Sequence, residues 1–395
     1  MNRAFRIGCV AACALLAGVA PPVRAQNMID PQAPDSASII QRIDSTFASD
    51  RKDTLDCEVT ELAPRLNFAF RWHGGYRARF PVRQFGDEEG KLRVVFRVTP
   101  RSGEEPSYFW QDFRIPPGKR SARESGRVSG GFFLGQGSYG VDWMMMDEHN
   151  RSCREHWDTK LELSESDRER AQFVAPGRAL PIVLKWEGTP AGPDRPYKIA
   201  VVLHLAPILP RSIRLTSFDR SLLATMLTSL LEETPFQEVS VSAVSLDKQD
   251  VVFRTGKLDP TSFDELLDTM GRLDLGTIDF AKYSNPNGPV EVLSDLVNSE
   301  LASDETLDAL VFIGPNTRHT LRFPKDRLER LGSGAPLFFY LNLDYYTRRY
   351  PWADTIERLT KGQGGKVFEI RNPKQLRKAI EKMVEMLAKA RADHS

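Results

Sequence analysis

The chain has 395 residues, 41% of them hydrophobic, so it can bury a large core and is long enough for two domains. It holds 54 Lys and Arg against 53 Asp and Glu. Without residues 1–25, which carry three arginines and no acidic residue, 51 basic residues face 53 acidic ones, a net charge of −2. This balance argues against a nucleic-acid partner, because nucleic-acid-binding proteins carry an excess of basic residues on one face.

The first 25 residues have the pattern of a secretory signal peptide. Arg3 and Arg6 precede an apolar stretch over 7–20, and Val23-Arg24-Ala25 precedes a cleavage site before Gln26. The apolar stretch is short and two prolines follow it, which argues against a retained membrane helix. The sequence therefore predicts a periplasmic or secreted protein with no transmembrane segment after cleavage near Ala25.

Two cysteines remain after the predicted cleavage, Cys57 and Cys153. In an exported protein a sparse, even pair favours a disulfide over half of a metal site. Closing a loop of this length stabilises a fold by roughly 4–5 kcal/mol in the chain-entropy model. We therefore predict a Cys57–Cys153 disulfide.

Within the region 26–185, the pattern of apolar and polar residues changes at about residue 53. Residues 26–52 form a leader with one short helical face within Ser36–Ser49, and residues 53–185 alternate like short strands separated by turns such as Gly74-Gly75. This spacing predicts an all-β sandwich over 53–185. The strand-like segments are Leu66–Trp72, Leu92–Val98, Ser107–Ile115, Gly131–Leu134, Tyr139–Met145, Lys160–Leu163 and Leu180–Lys185.

The region 197–390 follows a linker rich in Gly and Pro and alternates strands with helices. It begins with the apolar strand Ile199–Leu205, which is followed by the helix Asp219–Glu233. A near-continuous apolar strand that leads into a helix is typical of a sheet that is covered on both faces. The further predicted elements are the strands Glu238–Leu246, Val251–Arg254, Ala309–Ile313, Leu337–Leu343 and Lys366–Ile370, and the helices Thr261–Met270, Val290–Leu301, Lys325–Arg330, Ala353–Lys361 and Pro373–Ala390. Ligands in such sheets bind beyond the carboxyl ends of the strands.

This order of elements resembles the von Willebrand factor A-type domain over about Lys198–Leu387. The resemblance rests on Ile199–Leu205, on Leu310–Gly314, and on the small-residue turn before the last strand in Leu359–Phe368. It implies a doubly wound, Rossmann-like, mostly parallel sheet flanked by helices. An exported β-rich domain before this fold also resembles bacterial proteins related to the same family.

The family usually binds a divalent cation through Asp-x-Ser-x-Ser after the first strand. Here the corresponding positions read His204, Ala206 and Ile208, and Gly314-Pro315 stands where the family commonly has an Asp. Hard cations need several oxygen ligands at one point. The resemblance therefore implies a degenerate adhesion site, and we expect no metal and no other cofactor.

Three further patterns have simpler structural explanations. His204 lacks a nucleophile and an orienting partner at recognisable spacing, which favours a structural histidine. Cys153-x-x-His156 is half of a zinc pattern without a second half. Gly362-Gln-Gly-Gly365 precedes a strand rather than a helix, which favours a helix stop over a phosphate-binding loop.

The most suggestive surface is Asp344–Trp352, which follows a buried strand. Tyr, Trp and Arg dominate protein-binding hot spots, although the same rings could simply cover the end of the sheet. The candidate partner-binding residues of this loop are Tyr345, Tyr346, Arg348, Arg349, Tyr350 and Trp352. Asn285 and Asn287, within Asn285–Gly288, are candidates on a second loop at the same edge of the sheet, beyond the carboxyl ends of its strands.

The leading hypothesis is an exported, non-catalytic protein-interaction module of adhesion type, with no catalytic residues and an unidentified protein partner. One alternative is a hydrolase-like enzyme with a site between the domains, which would need a His converging with a Ser, a Cys or a carboxylate. Another is an envelope structural or carbohydrate-binding protein, which would need exposed tryptophans on one sandwich face: Trp72, Trp110, Trp143 and Trp157.

Overall fold

The structure is a computed structural model. It describes residues 26–49, 54–121, 124–168, 174–188, 196–208, 212, 214–276, 280–302, 307–324, 327–328, 335–345 and 352–394. The predicted signal peptide, 1–25, lies outside the described residues. Among the helices described, none is long and apolar enough to cross a membrane.

The first region consists of antiparallel sheets. One sheet has the strand order β1-β5-β4-β7-β8 and the other β2-β3-β6-β9. The bounds are β1 (Asn27–Met28), α1 (Ser36–Phe47), β2 (Glu58–Leu66), β3 (Trp72–Pro81), β4 (Gly90–Pro100), β5 (Ser107–Ile115), β6 (Ser125–Leu134), β7 (Gly137–Asp147), β8 (Ser152–Leu161), α2 (Glu165–Arg168) and β9 (Ala179–Pro181).

Apolar side chains of both sheets share one buried cluster. Tyr76 on β3 lies with its ring centroid 5.5 Å from Phe96 on β4 and 5.4 Å from Trp143 on β7. Because β3 belongs to one sheet and β4 and β7 to the other, these aromatic contacts pack the two sheets together.

The predicted disulfide is confirmed. Cys57 and Cys153 are bonded across a sequence separation of 96 residues. Cys57 directly precedes β2 and Cys153 lies in β8, so the bond joins the two antiparallel sheets.

The predicted strand Leu66–Trp72 is wrong, because the segment is the turn between β2 and β3. Asn67 Oδ1 accepts hydrogen bonds from the backbone N–H groups of Ala69 and Arg71, and Phe70 has φ +53°. An Asn side chain that bonds the backbone two residues on is a turn-forming device. Phe68 and Phe70 alternate with other residues in this turn because both pack against the region 197–390.

The predicted turn at Gly74-Gly75 is also wrong, because both residues lie inside β3. A Cβ on Gly75 would stand 2.3 Å from the carbonyl oxygen of Gly130 on β6. Glycine is therefore required here by the close approach of two backbones. The predicted strand Leu180–Lys185 is reduced to β9, Ala179–Pro181.

The second region is built on one mixed sheet with the strand order β12-β11-β10-β13-β14-β15. All neighbouring strands are parallel except β11 and β12. The bounds are β10 (Tyr197–His204), α3 (Ser217–Glu233), β11 (Phe236–Ser245), β12 (Asp250–Thr255), α4 (Pro260–Arg272), α5 (Phe280–Tyr283), α6 (Gly288–Leu301), β13 (Ala309–Pro315), β14 (Leu337–Leu343), α7 (Thr355–Gly362), β15 (Lys366–Ile370) and α8 (Pro373–His394).

Both faces of this sheet are buried. Val201 and Leu203 of β10 belong to a cluster with residues of α3, α4 and α8. Val202 of β10 belongs to a second cluster with residues of α6 and α7. The five parallel strands therefore end together at one edge, which we name the carboxyl edge, and the connections that follow them lie there.

Helix ends follow local capping. α3 begins at Ser217, two residues before the prediction, because Thr216 and Asp219 form a reciprocal capping box. The predicted cap of α8 is confirmed, since Asn372 Oδ1 accepts from the backbone N–H of Gln375. α8 continues to His394, beyond the predicted end.

The β2–β3 turn of the first region docks on the second. Phe68 is buried in the cluster that contains α3 and α8, and its ring lies 6.3 Å from that of Tyr345. The other contacts are the hydrogen bond from Ser229 Oγ to the Phe68 carbonyl, the ion pair of Arg71 with Glu232 Oε1 at 3.0 Å, and the Arg377 guanidinium 4.4 Å from the Phe70 ring centroid. Trp186 packs in the same cluster, 6.0 Å from Phe263.

Candidate functional site

The connection after β10 is closed by apolar packing. Ala206 and Ile208 are both buried. Asp219, the nearest carboxylate along the chain, accepts hydrogen bonds from the Ile208 N–H at 2.9 Å and from the Thr216 N–H and hydroxyl at 2.7 Å each. Asp219 therefore caps α3 and fastens this loop.

His204, at the end of β10, is buried with Nδ1 3.1 Å from the carbonyl oxygen of Pro315. Gly314 on the neighbouring strand fits closely against it, because a Cβ there would lie 2.7 Å from the His204 carbonyl oxygen. An aspartate at 314 would require these strands to move apart. The backbone contact gives a packing reason for the glycine that stands at this position.

A His–Asp pair that no sequence pattern indicates lies beside this strand end. His319 Nε2 is 3.0 Å from Asp247 Oδ1, and Arg318 Nε is 3.0 Å from the same oxygen. Burial alone would raise the pKa of Asp247, but the hydrogen bond from His319 and the charge of Arg318 outweigh it and lower the pKa to about 2. Residues 247 and 319 are 72 positions apart, so no local motif signals the pair.

The pair has a base and an orienting carboxylate but no nucleophile. Within the described residues, the imidazole of His319 has Asp247 as its hydrogen-bond partner, and no Ser or Cys side chain bonds to it. Acyl transfer of the Ser–His–Asp kind needs a nucleophile within hydrogen-bond reach of the base. The pair also lies at the carboxyl edge rather than at the contact between the two regions.

A second carboxylate at this edge is fully buried. Asp354 caps α7, accepting from the Glu357 N–H at 2.7 Å and the Thr317 N–H at 2.8 Å, with the Tyr340 hydroxyl 3.4 Å away. Burial raises the pKa of Asp354 to about 6. The side chain thus ties the connection after β13 to the start of α7.

Tyr345 and Trp352 occupy different environments at the carboxyl edge. The Tyr345 ring is half-buried, 6.3 Å from Phe68 and 5.3 Å from Phe218. Trp352 is 46% exposed. The other candidates of this loop, Tyr346, Arg348, Arg349 and Tyr350, lie outside the described residues.

The second candidate loop lies at the same edge, beside the β11–β12 turn. Gln249 Nε2 donates to the Asn285 carbonyl at 3.0 Å. The Asn285 side chain is used within its own loop, since Nδ2 donates to Glu291 and Oδ1 accepts from the Asn287 N–H. Asn287 is exposed.

Exposed aromatic residues concentrate at the carboxyl edge. The large apolar side chains that stay exposed in the described part of the chain are Ile39 at 46%, Val183 at 41%, Phe218 at 42%, Phe280 at 81% and Trp352 at 46%. All three aromatic members belong to connections at this edge: Phe218 lies in the first turn of α3, Phe280 begins α5, and Trp352 precedes α7.

Sequence reasoning missed Phe218 and Phe280. No sequence signal marks Phe218 as exposed, because it lies four residues before Leu222, in line with the buried apolar stripe of α3. Phe280 lies in a four-residue helix after a loop, and this helix is too short for hydrophobic periodicity to indicate which of its side chains are buried.

The metal-like residues near Cys153 do not converge. Cys153 is in the disulfide, His156 Nδ1 lies 2.9 Å from Asp142 Oδ1, and Asp158 pairs with Arg101. In the portion of the chain that the structure describes, no group of three or more His, Cys, Asp and Glu side chains could hold a metal ion.

The tryptophans do not share one exposed face. Trp143 is fully buried, and Trp72 and Trp157 pack against the same core. Trp110 lies under Arg93, whose guanidinium carbon is 5.1 Å from its ring centroid. The condition for the carbohydrate-binding alternative is therefore not met by these four residues.

Comparisons with known proteins give no family. The sequence matches no family model and no curated protein. Solved structures match parts of the chain with low TM-scores. A structural-genomics target matches with a TM-score of 0.19 and 15% identity over 29% of this chain and 96% of its own. The superoxide reductase (neelaredoxin) from Ignicoccus hospitalis has a TM-score of 0.19 and 10% identity over 27% of this chain and 80% of its own. A β-glucosidase from Bifidobacterium adolescentis has a TM-score of 0.17 and 12% identity over 28% and 18%.

Proposed function

We propose that this protein is an exported, non-catalytic module that binds another protein through the carboxyl edge of its mixed sheet. The observation that carries the proposal is the location of the exposed aromatic residues Phe218, Phe280 and Trp352 on connections at that edge. Exposed aromatic side chains bring large contact area at low entropic cost, which is why they dominate binding hot spots.

We further propose that residues 53–185 form a β-sandwich and residues 197–390 a von Willebrand A-like, doubly wound domain. The aromatic contacts between the two antiparallel sheets support the first assignment. A central β10, a single antiparallel edge strand β12 and helices on both faces support the second. In this proposal the cation site of the family is degenerate, and packing replaces it at Ala206, Ile208 and Gly314.

Export is the third part of the proposal. The disulfide supports it, because such bonds persist in oxidising compartments. The signal-like pattern of residues 1–25 gives the route. We place the mature protein in the periplasm or outside the cell.

The proposal is tested with an edge variant and a matched control. The edge variant replaces Phe218, Phe280 and Trp352 by Ser, and the control likewise replaces by Ser Ile39 and Val183, which are also apolar and exposed but lie elsewhere. A partner is first identified by crosslinking in envelope extracts and mass spectrometry, and its purified form is then titrated. We expect the edge variant to bind at least about tenfold more weakly and the control to bind like wild type. Equal affinity of the edge variant would refute the assignment of this surface.

The absence of a cation requirement is tested by thermal unfolding of the mature protein in EDTA and in excess Mg²⁺, Mn²⁺ or Ca²⁺. A metal that binds the folded state alone raises the midpoint of unfolding. We expect one midpoint in all four solutions. A saturable rise with one cation would show a functional site and turn attention to cation-dependent adhesion.

A further inference from the structure

Gln26 connects the two antiparallel sheets through one atom of its side chain. It directly precedes β1, whose Asn27 and Met28 pair with β5. Its Oε1 accepts a hydrogen bond at 3.3 Å from the backbone N–H of Gly131, which lies in β6 of the other sheet. β9 pairs with β6 only from Phe132 onward, so the glutamine oxygen takes up an N–H group just beyond the end of that ladder.

The other half of the same amide is unsatisfied. Gln26 Nε2 is buried and has no hydrogen-bond partner. A buried donor without a partner costs free energy of folding, and such groups are rare in folded proteins. The fold uses the accepting oxygen of this side chain and leaves the NH₂ group without a role.

We propose that Gln26 is a modification site and that the mature chain begins with pyroglutamate at this position. This inference rests on the proposed export, because the α-amine of Gln26 becomes free only when the signal peptide, residues 1–25, is cut off after Ala25. The α-amino nitrogen then attacks Cδ of its own side chain, and an N–Cδ bond forms as the Cδ–Nε2 bond breaks. One amine proton passes to Nε2, which leaves as ammonia, so the step needs no oxidant, reductant or other co-reactant.

The product matches what the fold uses. Ring closure brings Cδ to the α-nitrogen, and the resulting five-membered lactam retains a carbonyl oxygen that can accept a hydrogen bond and loses the NH₂ group that has no partner. It also removes the charge of the α-amine next to β1, as other terminal modifications do. Cyclisation therefore removes an unpaired buried donor and a charged terminus in one step.

The test is mass spectrometry of the folded protein, produced from the full chain with its signal peptide in a secreting host. We expect the N-terminal peptide to begin at position 26 and to be lighter than the glutamine form by the mass of one ammonia. A peptide that begins elsewhere, or one that keeps an intact Gln26 amide, would overturn the proposal.

The matched control is Gln26→Glu, which retains side-chain oxygens but cyclises far more slowly, so we expect an intact glutamate at its N-terminus. The pyroglutamate form of wild type should also unfold at a higher temperature than the freshly cut glutamine form. An equal or lower midpoint would refute the role given to the buried Nε2. Partner capture by Gln26→Glu should equal that of wild type, which separates this inference from the edge that binds the partner.

Discussion

Two carboxylates at the carboxyl edge respond to pH in opposite directions. The pKa of Asp247 is lowered to about 2, so its ion pairs contribute their full stability above its ordinary pKa of 3.8, and this contribution is lost as pH falls from 3.8 through about 2. The pKa of Asp354 is raised to about 6 by burial, so its contribution is complete below pH 3.8 and is lost as pH rises through 6. The difference follows from partners: Asp247 faces His319 and Arg318, whereas Asp354 has neutral N–H and hydroxyl groups.

The first prediction concerns Asp354→Asn, which removes the titrating group from the buried cap. Relative to this variant, wild type should lose about 2 kcal/mol of unfolding free energy between pH 4.5 and pH 7, because folding holds the carboxyl protonated longer than the unfolded chain does. Urea unfolding at several pH values measures the difference.

The control for this prediction is Asp259→Asn, at the cap of α4. Asp259 also bonds the N–H three residues on, but it is exposed and its pKa is lowered by the hydrogen bonds from Ser262. Its effect should therefore be flat above pH 4.5. A flat profile for Asp354→Asn as well would mean that Asp354 is ionised throughout this range.

At the scale of elements, the β2–β3 turn is the feature that joins the two regions. Phe68 is buried among residues of the second region, although it belongs to a hairpin of the first. Asn67 sets the turn through two hydrogen bonds to backbone N–H groups. The turn therefore presents Phe68 in a fixed direction, against the half-buried ring of Tyr345.

The second prediction is that Phe68→Ala destabilises the protein by about 3–5 kcal/mol, the usual range for truncating a buried Phe. Chemical unfolding monitored by fluorescence measures the change. Asn67→Ala should act in the same direction with a smaller effect, because it loosens the turn while leaving the aromatic ring in place. A Phe68→Ala protein within about 1 kcal/mol of wild type would show that the turn does not dock.

The same turn shows why sequence reasoning went wrong there. Leu66–Trp72 alternates apolar and polar residues as a strand does, but Phe68 and Phe70 are apolar because they contact α3, α8 and Tyr345. Hydrophobic periodicity indicates that a side chain is buried, but it does not indicate which element of the structure buries it. Where local signals act alone, as with the apolar run of β10 and the Asn372 cap of α8, prediction and structure agree.

The residues of the candidate site likewise fall into those that the sequence indicates and those that only the fold reveals. Tyr345 and Trp352 could be named from their position after a buried strand, whereas Phe218 and Phe280 could not be recognised as exposed without the fold. The Asp247–His319 pair required the topology, since strand order alone brings the ends of β11 and β13 to one edge. Residues that act together across strands leave no spacing in the sequence.

At the scale of the whole molecule, the Cys57–Cys153 bond links the two antiparallel sheets across 96 residues. The bond reduces the conformational entropy of the unfolded chain. Replacing both cysteines by Ala should therefore lower the unfolding free energy by roughly 4–5 kcal/mol in the chain-entropy model. Guanidinium unfolding with and without a thiol reductant measures this, and reductant should shift wild type towards the variant while leaving the variant unchanged. A reductant effect of equal size in the variant would exclude the disulfide as its cause. A loss below about 1 kcal/mol would mean that the shared aromatic core, rather than the crosslink, holds the two sheets together.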